Sequence, residues 1–186
     1  RRVSKRPPIL DAPITPTSQT MSKLVLGTGS GRCGTVSLAA LLNHQRNSAV
    51  THERFGHRLQ YEGTPEIPQK LLSEFLEVGA QYQLFGDVMG TWIWWARLFL
   101  RHLGEPLRIV CLQRPREEVV DSFMAKKPDA KRWQRSEWDG DPWGMTSPWY
   151  PEDLTKREAI TAYYDHVYSE ADELLHEYPD RFGIFG

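Results

Sequence analysis

The residues from Gly29 to Val36, Gly-Ser-Gly-Arg-Cys-Gly-Thr-Val, crowd glycines, hydroxyls, a thiol and a guanidinium into one short segment. The apolar run Leu24-Val25-Leu26 enters it, and a helical pattern of Leu38, Ala39, Leu41 and Leu42 leaves it. A strand, a glycine turn and a helix, in that order, aim successive backbone N–H groups at one point. An anion placed there meets the unpaired donors of the first helical turn and the positive end of the helix dipole. Glycines give the backbone access to positive φ and let a phosphate come close. The ATP/GTP form of such a loop has a lysine after its last glycine, then a Ser or Thr for magnesium. Thr35 and Val36 stand in those places, and the cation sits inside the loop as Arg32. The plainer alternative is a glycine turn that only joins a strand to a helix.

A second segment, Gln113-Arg114-Pro115-Arg116-Glu117-Glu118-Val119-Val120-Asp121-Ser122, follows the apolar run Leu107–Leu112. Arg114 falls at the carboxyl end of that predicted strand, Pro115 suits a first helical turn, and Ser122 falls on the helix. A guanidinium with a hydroxyl suits a second phosphate, because arginine can meet two oxygens at once. A capping arginine, or one paired with Glu117 or Glu118, is the alternative.

Together the two segments resemble those of the sulfotransferases that use 3′-phosphoadenosine 5′-phosphosulfate (PAPS). That family's 5′-phosphosulfate loop has the form G-x-x-[RK]-x-G-T, matched by Gly29-Ser30-Gly31-Arg32-Cys33-Gly34-Thr35. Its 3′-phosphate motif is R-x-P with a serine eight residues after the arginine, and Arg114, Pro115 and Ser122 resemble it. Arginine and proline are adjacent here, which leaves Arg116 as the other candidate, although the spacing to Ser122 favours Arg114. Val36 stands where many members have a second threonine, with Ser37 next to it. The resemblance spans Lys23 to Gly186 and implies transfer of a sulfuryl group from PAPS to a hydroxyl or amine. The acceptor would be a small molecule, a carbohydrate or a peptide. It implies cofactor contacts from Gly29 through Val36 and from Arg114 and Ser122, with Arg32 also stabilising the transferring group. Because a sulfuryl group carries less charge than a phosphoryl group, no metal is expected.

The same resemblance bears on the base. In tyrosylprotein and related carbohydrate sulfotransferases a glutamate follows the second strand, and Glu53 in Thr51-His52-Glu53 looks like that position. In cytosolic small-molecule sulfotransferases the base is a histidine, so His52 is the second candidate. Two rival readings stand beside this one. A P-loop nucleotide or small-molecule kinase would bind ATP with magnesium; a non-catalytic module would hold a nucleotide without transferring anything.

These residues need a frame. Strands are predicted near Lys23–Leu26, Asn47–Thr51, Tyr82–Phe85, Leu107–Leu112 and Phe182–Phe185, with helical patterns between them. Such alternation predicts an α/β fold: a three-layer P-loop-type parallel sheet flanked by helices on both faces. Ligands in such sheets bind at the carboxyl ends of the strands, where both segments fall. Thr64-Pro65 suits a helix start. Trp92, Trp94 and Trp95 suit either the core or a pocket, and Asp87 either an acceptor contact or a helix cap. Residues 1–20, rich in Pro, Thr and basic side chains, read as a flexible leader before a domain over 21–186. Residues 126–153, with four tryptophans and little periodicity, read as an acceptor lid. A net charge of −1 speaks against an obligate nucleic-acid binder. No apolar run is long enough to span a bilayer, the two cysteines suggest neither a disulfide framework nor a metal site, and a cytoplasmic setting is expected. The oligomeric state is left open by the sequence.

Overall fold

Apolar runs bounded by glycine and proline become strands, and the amphipathic stretches between them become helices. A computed structural model describes residues 22–61, 66–126, 148, 150–151 and 153–186. In chain order it contains β1 (Lys23–Gly29), α1 (Thr35–Leu42), β2 (Ser48–His52), a 3₁₀ turn (Gly56–Arg58) and α2 (Glu66–Gly79). There follow β3 (Leu84–Val88), α3 (Trp92–Leu103), β4 (Leu107–Leu112), α4 (Arg116–Ala125), α5 (Lys156–Glu177) and β5 (Phe182–Phe185). The expected leader, the Thr64-Pro65 helix start and most of the expected lid lie outside the described residues.

The strands form one parallel sheet in the order β2-β3-β1-β4-β5. Side chains alternate between faces along each strand. Val25, Val50 and Val88 therefore meet Ala39 of α1 on one face. Leu24, Leu26, Phe85 and Ile109 meet α2, α3 and α5 on the other. The chain steps outward from β1 to β2 and in the opposite sense thereafter, so right-handed crossovers put α1, alone among the described helices, against its face. This is the expected three-layer P-loop-type α/β fold.

Three strands differ in their limits from the sequence reading: β2 is shifted by one residue, to Ser48–His52, and β1 and β3 differ for one reason. β1 runs on to Gly29 because Thr28 and Gly29 pair with Cys111 and Leu112. β3 sits at Leu84–Val88 because Gly86 and Asp87, which look loop-like locally, pair with Val25 and Leu26. A Cβ on Gly86 would lie 2.1 Å from the Val25 carbonyl oxygen, so only glycine allows this approach. The three tryptophans of α3 are core rather than pocket wall: Trp92, Trp94 and Trp95 are all buried. Among the described residues, no helix is long and apolar enough to cross a membrane.

The start of α5 is fixed by a capping box. Thr155 Oγ1 accepts from the Glu158 N–H at 3.3 Å, and the Glu158 carboxylate accepts from the Thr155 N–H at 2.8 Å. The Thr155 hydroxyl, which donates to the Glu158 carboxylate at 2.7 Å, and then the Thr155 N–H hold that carboxyl below its ordinary value. Thr155→Ala is expected to cost about 1 kcal/mol in urea unfolding at neutral pH. The share owed to Glu158 is present above the ordinary glutamate range and is lost as pH falls through its lowered folded value. The penalty of the variant should therefore shrink in acid.

Candidate functional site

Because the sheet is parallel, the loops after β1, β2, β3 and β4 share one edge. The loop after β1 turns through four residues of positive φ: Gly29 (145°), Gly31 (76°), Arg32 (57°) and Gly34 (99°). A Cβ on Gly29 would come within 2.5 Å of the Leu112 carbonyl oxygen and 2.7 Å of Cys33 Sγ, so the loop can leave β1 this way only through glycine. Gly34 is the N-cap of α1, without a side-chain cap, and no acidic residue sits in the first turn. The backbone donors there have no carboxylate from the first turn of α1 to neutralise them. Arg32 is the one loop residue held at positive φ without being glycine, a conformation that persists only where neighbours secure it.

Those neighbours come from the second segment. The Arg114 guanidinium donates to the Arg32 carbonyl oxygen at 3.3 Å, and Arg32 Nε donates to Ser122 Oγ at 2.9 Å. β4 lies directly beside β1, so both arginines and Ser122 meet at one place on the carboxyl edge of the sheet. Arg116 is turned away toward α5, meeting Asp165 and Glu117, each at 3.4 Å. Of the two candidate arginines, Arg114 is the one at the loop.

No protein-family model matches the chain, and a search of curated proteins returned no match. The reading of the site therefore rests on its own residues. Among the described residues, no group of three or more His, Cys, Asp or Glu side chains is placed to hold a metal ion.

Helix α5 secures both strand tips from behind. Tyr168 donates to the Leu112 carbonyl at 2.8 Å and lies 3.2 Å from Ser30 Oγ. Tyr164 donates to the Arg114 carbonyl at 2.8 Å. Burial raises both phenols above their ordinary value, so they remain proton donors at neutral pH. Ser30, expected at the cofactor, is buried with its hydroxyl turned inward to Tyr168 and the Gly31 carbonyl. Val36 exposes its apolar side chain, leaving its backbone as its polar contribution. Burial pushes the Cys33 thiol up and, with the neighbouring Cys33, takes Cys111 to about 12. Neither thiol is a ready nucleophile at neutral pH. The sequence offered no cue for the two tyrosines beyond the apolar period of their helix.

The tip of β2 reaches the other side of the first turn of α1. His52 Nε2 lies 3.1 Å from Thr35 Oγ1, and His52 Nδ1 lies 3.8 Å from Glu53 Oε2. The histidine thus bridges the first turn of α1 and the exposed glutamate. Glu53 has φ 58° and donates its N–H to the Val88 carbonyl at 3.1 Å.

What holds that turn is Asp87, whose part differs from both alternatives drawn from the sequence. It is fully buried in β3, and its carboxylate accepts from Thr51 Oγ1 (2.6 Å) and Trp92 Nε1 (3.1 Å). It also accepts from the N–H groups of Arg54 (3.1 Å), Phe55 (3.3 Å) and Gly56 (3.1 Å). Asp87 therefore neither faces an acceptor nor caps α3; it anchors the turn that begins at Glu53. Asp87→Ala leaves these donors without their acceptor, and urea unfolding is expected to show a loss of about 2–3 kcal/mol. A stability within about 0.5 kcal/mol of the parent would overturn this account.

Proposed function

We propose that the chain is a sulfotransferase that moves the sulfuryl group of PAPS to a hydroxyl or amine of a small-molecule, carbohydrate or peptide acceptor. The observation that carries this reading is the meeting of the two segments at neighbouring strand tips: the Arg114 guanidinium donates to the Arg32 carbonyl, and Arg32 Nε donates to Ser122 Oγ. A ligand with negative charge at both ends of an adenosine, 5′ and 3′, suits two such centres better than a nucleotide charged at the 5′ end alone.

In this reading the loop N–H groups and Arg32 face the 5′-phosphosulfate, while Arg114 and Ser122 face the 3′-phosphate. The acceptor oxygen or nitrogen forms its bond to sulfur as the bond from sulfur to the phosphate oxygen breaks. The leaving oxygen stays with 3′,5′-ADP, and the acceptor's proton passes to the Glu53 carboxylate. Donors already aimed at the group that gains charge need no reorganisation during the step. The sequence lacks the lysine and the Ser/Thr of a nucleotide kinase loop. The carboxylate of β3 is also fully engaged with protein donors.

Calorimetry with 3′,5′-ADP and with ATP, each with and without magnesium, tests the reading. Tight metal-free binding of 3′,5′-ADP with little of ATP is the expected result. Magnesium-dependent ATP binding would move the chain to the kinase class. Turnover of labelled PAPS with a panel of acceptors then separates a transferase from a binding module.

A further inference from the structure

Arg114 has a second partner inside the protein. Its Nε donates to Glu118 Oε2 at 2.7 Å, an i,i+4 pair across the start of α4. Arg116 and Glu117 precede Glu118 in the first turn of that helix, so its carboxylate also sits at the positive end of the α4 dipole. Both attractions that would draw a phosphate to this place already act on an anion supplied by the protein. The neighbouring carboxylates are committed elsewhere: Glu117 faces Arg116 and Arg157, and Asp121 faces Arg157. Glu118 is the carboxylate on the ligand-facing arginine.

The geometry points to Glu118 as an internal competitor for the 3′-phosphate seat, one that weakens the hold on the doubly phosphorylated nucleotide. This inference rests on the reading of Arg114 as the 3′-phosphate residue. For a 3′-phosphate to take both donors of Arg114, the bond from Nε to Glu118 must break. The freed carboxylate then stands beside a second anion and repels it. A nucleotide without a 3′-phosphate leaves the pair intact and feels neither effect. Glu118 therefore acts on one end of the ligand alone, and it acts on substrate and on the 3′,5′-ADP product alike, which favours product release. Both side chains are about half exposed, at 45% and 53%, so the effect is modest and sensitive to salt.

The test is calorimetry on the full chain and two variants, Glu118→Gln and Glu117→Gln, with 3′,5′-ADP and 5′-AMP as probes. Glu117→Gln removes the same charge from the same helical turn without touching Arg114, so it controls for the dipole and the net charge. Glu118→Gln is expected to tighten 3′,5′-ADP about three- to tenfold at low salt, to lose most of that gain at about 0.5 M salt, and to leave 5′-AMP within about twofold. The competitor role is overturned if 3′,5′-ADP binds the variant no more tightly, if 5′-AMP gains equally, or if Glu117→Gln gives the same gain. Failure of 3′,5′-ADP to bind any form would instead sink the sulfotransferase reading and this inference with it.

Discussion

Arg32→Ala is expected to slow sulfuryl transfer by about 10²–10³-fold while leaving the protein folded. The side chain is exposed, alanine is no more strained than arginine at φ 57°, and the carbonyl keeps its bond from Arg114, so the fold loses only the contact with Ser122. The chemistry loses more. In the proposed reading, charge gathers on the sulfuryl oxygens and the leaving oxygen as the bond to sulfur breaks, and Arg32 is the cation that the loop supplies to them. The Arg32 carbonyl survives in the variant, so Arg114 keeps its backbone acceptor and its position beside the loop. Affinity for 3′,5′-ADP should therefore fall much less than the rate. Arg32→Lys restores charge without the planar fork that reaches Ser122, and should recover only part of the loss. Initial rates with labelled PAPS, beside calorimetry with 3′,5′-ADP, check both halves. An unchanged rate in Arg32→Ala would remove the loop from the chemistry.

The parts of this arrangement that were legible in the sequence are those fixed by local punctuation. Pro115 starts α4, Gly104 at φ 62° closes α3, and the glycine loop divides β1 from α1. Each signal acts over a few residues, so each survives without knowledge of the fold. β3 was misplaced because Gly86 and Asp87 are strand residues only through their pairing with β1. No local preference announces that pairing. The two arginines were legible as candidates at the carboxyl ends of strands, but the direct bond from Arg114 to the Arg32 carbonyl was not. It depends on β4 lying beside β1, with β3 on the other side, an order that only the crossovers decide. Tyr164 and Tyr168 follow the loop by well over a hundred residues and sit at core positions of α5, so their hydroxyl contacts have no signature in the chain. Asp87 was visible as a lone acid at a strand end. The chain distance from Asp87 to Arg54, Phe55 and Gly56 hid the turn that it anchors.

Glu53→Gln is expected to lower turnover by about 10²–10⁴-fold, the usual worth of a positioned base, with binding of 3′,5′-ADP unchanged. Glutamine keeps the shape and loses the capacity to take a proton, so an effect confined to turnover isolates that capacity. The anchored turn makes the contrast clean: the backbone of residues 54–56 is held by Asp87, not by the Glu53 side chain. His52→Ala tests the alternative. His52 Nε2 is turned to Thr35 at the head of α1, where the loop donors converge, and Nδ1 faces Glu53. Loss of that ring should disturb the head of α1 and, in the proposed reading, weaken 3′,5′-ADP binding along with the rate. A base acts only when unprotonated, so the acidic limb of the parent's rate-against-pH profile should vanish in Glu53→Gln and persist in His52→Ala. The reverse pattern, with the limb kept in Glu53→Gln and lost in His52→Ala, would transfer the proton to the histidine. Glu53 would then be left to orient the ring through the 3.8 Å contact with Nδ1.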